Sequence, residues 1–161
     1  MFHRWAALLL VLALWAMSPK TAAGQTTKQQ PRGQKSGAFG KPYPNPFNPE
    51  IRIPFHVDTI GGCRDASRQK VVTVRISNIL GQAVAIPVLE DGSINSTTSV
   101  PSSLVGAALS NVKLGCGDYT AYWDGFVKMG STKKEAASGP YLVQIIVDGA
   151  VQDNIRILNR K

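Results

Sequence analysis

The stretch "KPYPNPFNPEIRIPFHV", Lys41 to Val57, decides how the chain is read. Pro42, Pro44, Pro46, Pro49 and Pro54 lie within it, half of the chain's 10 prolines. Prolines at this density fix φ and remove amide donors, which points to a loop. Yet Ile51, Ile53, Phe55 and Val57 follow at a spacing of two, the period of a strand with one buried face. Arg52, Pro54 and His56 take the opposite face. Pro54 cannot donate to a ladder, so this strand is expected at a sheet edge. Together these features read as a stiff, proline-locked entry into the first strand of a β domain.

Upstream, residues 25–41 are polar and rich in Gln, Lys, Thr and Gly, and are expected to be a disordered linker. Before them, Arg4 belongs to a charged start, Ala6 to Met17 ("AALLLVLALWAM") is an apolar run, and Ala22 and Gly24 are small. This is the layout of a secretory signal peptide over residues 1–24. The apolar run falls short of the ~20 residues that a membrane-spanning helix needs. Sec export is therefore expected, to the periplasm, the cell surface or the medium.

Downstream, short runs suited to β-structure alternate with turn residues. Lys70 to Leu80 carries Val72, Val74 and Ile76 on one face, and Gly81-Gln82 turns it into Ala83 to Leu89, which reads as a hairpin. Asp91 to Gly117 is a long Ser/Thr/Asn/Gly-rich loop in which "SSLVGAALS" suits a short helix. Its "NST", Asn95 to Thr97, matches an N-glycosylation acceptor. Tyr119 to Trp123, Tyr141 to Asp148 and Val151 to Leu158 read as further strands, with Phe126 to Gly139 a polar connection. No long amphipathic helix is evident. The pattern predicts an all-β, Ig-like (fibronectin-III-like) antiparallel sandwich of about seven strands over residues 42–161.

The whole chain carries 18 basic and 10 acidic residues; without Arg4 and Lys20 the excess is +6. The basic residues are scattered, with pairs only at Lys133-Lys134 and Arg160-Lys161, so no nucleic-acid footprint is expected. A catalytic triad would have to use His56, the one histidine beyond the signal segment, and its surroundings in sequence supply no partners. No enzyme activity, cofactor, metal site or small-molecule substrate is expected. Trp123-Asp124-Gly125 reads as a core plug followed by a turn rather than a calcium site, because Lys128, Lys133 and Lys134 follow where carboxylates would be needed. In an exported chain, Cys63 and Cys116 are expected to form a disulfide at one end of the sandwich.

In order, "YPNPFNPEIRIPF", "VRISNILGQAV", "YTAYWDG", "ASGPYLVQIIVDG" and "NIRILNRK" resemble the type A C-terminal sorting domain of the type IX secretion system. They equally resemble the Ig-like domain of the flagellar hook-capping protein. The likeness covers Pro42 to Lys161, and its motif positions here are Tyr43, Pro44, Asn45, Pro46, Phe47, Asn48, Pro49, Gly81, Trp123, Asp124, Gly125, Gly139 and Tyr141. The resemblance implies an export signal recognised by outer-membrane secretion machinery, followed by cell-surface attachment. The last strand, with Ile155, Ile157, Arg160 and Lys161, would be the sorting element. Two features depart from the pattern: only a linker precedes the domain, and the 91–117 loop is long. These suggest the alternative of a free-standing structural or adhesive module bound to another envelope protein.

Overall fold

Three buried rows organise the molecule. Ile51, Ile53, Phe55 and Val57 line one side of β2 (Ile51–Val57). Val72, Val74 and Ile76 line β3 (Lys70–Ser77), and Tyr141, Val143, Ile145 and Val147 line β10 (Gly139–Val147). With Tyr119, Ala121 and Trp123 of β7 (Gly117–Trp123), they form one hydrophobic core. The period-two pattern predicted these inward faces.

The structure is a computed structural model and describes residues 35–58, 63, 68–91, 100–129 and 132–161. The signal segment, most of the predicted linker and the Asn95–Thr97 acceptor lie outside the described residues. Among those described there are eleven strands and no helix. The remaining strands are β1 (Gly37–Phe39), β4 (Ala83–Ala85), β5 (Val88–Glu90), β6 (Val112–Leu114), β8 (Phe126–Met129), β9 (Thr132–Glu135) and β11 (Ala150–Asn159). One sheet has the order β1-β2-β7-β5. The second runs β11-β10-β3-β4, with β6 also on β3, and β8-β9 is a separate hairpin. Every strand pair is antiparallel.

Eleven strands rather than about seven arise from local causes. Ala83 to Leu89 is not one strand: Pro87 lacks the amide needed to continue the ladder, and the chain crosses there from β4 in one sheet to β5 in the other. Within the expected 91–117 loop, Leu109 and Leu114 enter the core and β6 pairs with Lys70–Val72. The "SSLVGAALS" segment is a run of turns, with Gly106 at φ +77°, which a helix cannot include. Phe126 to Gly139 contains the β8-β9 hairpin.

The start of the domain also shifts. β1 falls inside the stretch read as linker, pairing Gly37, Ala38 and Phe39 with Val57, His56 and Phe55. The Phe39 amide donates to Asp153 Oδ2 at 3.0 Å, and the Ser36 amide donates to Gln152 Oε1 at 3.1 Å. Strand β2 is therefore interior, not an edge. Pro54 is tolerated because its nitrogen faces the side where β1 has ended, while its carbonyl accepts from Gly40 N at 2.8 Å.

Candidate functional site

A concavity lies beside β4, which ends its sheet. A groove of about 510 Å³ is floored by Val84, Ile86, Val88 and Tyr122, with Phe126 and Lys128 on the β8 side. Phe126 keeps about a third of its surface exposed; Lys133 Nζ lies over its ring at 4.7 Å from the centroid and donates to Asp124 Oδ2 at 2.6 Å. Lys128 projects from the same hairpin with no ion pair among the described residues. The walls are thus apolar and the rim is basic. The edge strand presents main-chain groups that its sheet does not use.

Several of the expected motif positions meet around Trp123. Phe47 is 1% exposed and stands 5.4 Å from the Trp123 ring; Trp123 in turn meets Tyr141 edge-on at 5.3 Å. Trp123 Nε1 donates to the Phe126 carbonyl at 2.8 Å. Asp124 Oδ1 accepts from Phe126 N at 3.1 Å and so shapes the turn. Gly125, at φ +74°, lies against the Pro49 carbonyl, where a Cβ would overlap the oxygen. Pro44, Pro46 and Asn48 complete the bends of this segment, and Tyr43 pairs through its backbone with Arg52 while its ring stays partly exposed. Gly81, at φ +77°, closes the turn after β3, and Gly139, at φ +138°, opens β10.

The terminal strand is stitched to this proline segment. Phe47 N donates to Leu158 O at 2.9 Å, Arg160 N donates to Phe47 O at 3.0 Å, and Leu158 N donates to Asn45 Oδ1 at 3.0 Å. Ile157 is buried, and Asn159 Nδ2 donates to the Ala136 and Ala137 carbonyls at 3.1 and 3.2 Å. Ile155 packs on the margin of the core. Arg160 and Lys161 are exposed, with Lys161 Nζ 3.0 Å from Glu135 Oε2. Most of the motif and the strand's buried positions thus serve folding.

The outer face of the β1-β2-β7-β5 sheet carries polar groups that the sequence left unconnected. Arg52 Nε donates to both Glu90 oxygens at 2.9 and 3.0 Å, and its guanidinium lies 5.4 Å from the Tyr122 ring centroid. Glu90 is the last residue of β5 and is ion-paired with Arg52. Tyr122 OH donates to Glu50 Oε2 at 2.6 Å; that bond, with some burial, pushes the phenol up to about 12. The same bond holds Glu50 below the usual carboxylate range. Nearby, His56 Nδ1 is 2.8 Å from Asp118 Oδ1, so this histidine is not isolated. At the end of the two strands Cys63 and Cys116 form the expected disulfide, with their Cα atoms 5.3 Å apart. The alternation of β2 had put Arg52 and His56 on one face. What it lacked was the register of β2 on β7, which supplies Tyr122 and Asp118.

No family profile matches the chain, and no curated protein matches it. Among solved structures, a similar one is the Pseudomonas fluorescens alkylpurine DNA glycosylase AlkC bound to DNA containing an abasic site analog. It is 15% identical with a TM-score of 0.43, over 79% of this chain and 31% of that one. The chain thus spans about a third of that protein's length. The expected function, export and surface attachment or an adhesive envelope module, is corrected: a similar solved structure is a DNA-bound enzyme, not such a module. The expectations of no enzyme activity and no nucleic-acid partner are withdrawn with it. Likeness at this level carries no argument for glycosylase activity or DNA binding in this chain.

Proposed function

We propose that the chain is an exported, disulfide-locked Ig-like β-sandwich built like the type A sorting and hook-capping domains, and that it holds an extended peptide along β4. Two observations support the architecture. The larger sheets share one core, and the "YPNPFNP", "WDG" and "SGPY" segments meet around Trp123. The recognition role rests on the groove. Its volume suits a ligand site, and it runs beside an edge strand able to pair with a further strand. The occupant is a segment with apolar side chains at alternate positions, for Val84, Ile86 and Phe126, and a carboxylate facing Lys128.

Selection of linear peptides on the oxidised protein tests this reading. Selected sequences are expected to alternate and to carry an acidic residue at one end. Their amide shift changes should fall at residues 83–88 and 122–128, and Lys128→Glu should weaken binding by about tenfold or less, the scale of a rim charge. Failure to select any binder, or shift changes confined to another face, refutes it.

A further inference from the structure

The disulfide end brings together more than two sulfurs. One ligand atom each from His56, Asp58, Cys63 and Cys116 lies within 4.8 Å of every other. Asp58 Oδ1 is 3.8 Å from Cys116 Sγ. The four come from three places: the end of β2, the connection after it, and the residue preceding β7. Pairing of Val57 with Gly117 makes them neighbours, although the cysteines are 53 residues apart in sequence.

We propose that, with the cysteines reduced, this cluster is a four-coordinate site for a divalent zinc-class cation. Two thiolates, an imidazole and a carboxylate are the donor types that zinc takes in tetrahedral sites. Bonds of about 2.0–2.3 Å set the donors of such a tetrahedron roughly 3.3–3.8 Å apart, so the more distant donors close in by about an ångström while the two sulfurs, no longer bonded, move apart. Asp118, 2.8 Å from one nitrogen of His56, supplies the carboxylate partner that ligating imidazoles commonly have, and the other ring nitrogen turns to the ion. Binding releases the two thiol protons to solvent and moves no electrons. Disulfide and metal use the same sulfurs, so the two states exclude one another.

The test uses the whole chain, reduced with a phosphine under argon and titrated with cobalt(II), followed by competition with zinc. The expected result is one ion per chain, with a thiolate-to-cobalt charge-transfer band and the visible bands of tetrahedral cobalt. The oxidised chain should give neither. His56→Ala and Asp58→Asn should each weaken binding by about tenfold or more, while His3→Ala leaves it unchanged. Tryptophan fluorescence follows the fold throughout; if reduction loosens the protein, the metal should restore the native spectrum. Lack of the tetrahedral bands overturns the proposal. So does equal binding by the His56 and Asp58 variants, or binding that leaves a loosened chain loose.

Discussion

Replacing Phe47 with alanine probes whether the proline segment belongs to the core. The ring is 1% exposed, yet it lies outside every strand. A buried phenylalanine removes about 200 Å² from water, worth about 5 kcal/mol at 25 cal/mol per Å². The 5.4 Å contact with Trp123 contributes about 1 kcal/mol more, and partial collapse of the site takes some back. The expected loss is about 3–5 kcal/mol, in line with buried Phe→Ala changes generally. With a urea slope of about 2 kcal/mol per M, the midpoint should fall by about 2 M. Equilibrium urea unfolding of the oxidised protein, followed by tryptophan fluorescence, measures it. Tyr43→Ala, at a partly exposed ring in the same segment, serves as the control and should cost under about 1 kcal/mol. A Phe47→Ala loss below 1 kcal/mol with an unchanged slope would show that the segment merely rests on the sheets.

Gly125→Ala should cost at least about 2 kcal/mol, because it combines an unfavourable positive φ with overlap on the Pro49 carbonyl; thermal unfolding reads the loss, and a neutral result removes the contact between the two motifs. Tyr122 should titrate near pH 12 by ultraviolet difference spectroscopy, and Glu50→Gln should bring it back towards pH 10. Because that phenol's pKa is raised on folding, its contribution is fully present below pH 10 and is lost as pH rises from there towards 12, so stability should fall with alkali over that window. Reduction of Cys63–Cys116 should cost roughly 4 kcal/mol for a 53-residue separation on the chain-entropy argument; alkylation of both thiols without reductant would refute the bond. The Thr120 hydroxyl is buried without a hydrogen-bond partner, so Thr120→Val should be neutral or stabilising by about 1 kcal/mol in the same urea assay.

The inward faces of β2, β3, β7 and β10 were legible because alternation states which side of a strand is buried, and their apolar rows keep it, with Ser77 and Thr120 buried out of register. β1, β6 and the β8-β9 hairpin were not, since three or four residues hold too little pattern to stand out. Pro87 could have been read as the break between β4 and β5, but the alternation of Val84, Ile86 and Val88 runs straight through it. The disulfide followed from cysteine count and the compartment expected for the chain. The groove and the His56–Asp118 pair depend on which strands become neighbours and in what register, and that is set by packing far along the chain.

The stitch between Asn45–Phe47 and Leu158–Arg160 also bears on the order in which the domain closes. Its bonds join groups up to 113 residues apart, so the proline segment cannot seat until nearly the whole domain has been brought together. Contacts of such separation form late and slowly. Without Leu158 and Arg160, Phe47 and Asn45 lose the bonds that seat them. The aromatic corner around Trp123 is thus the last part of the domain to close, and cutting the chain before Leu158 should leave that corner open to added protease.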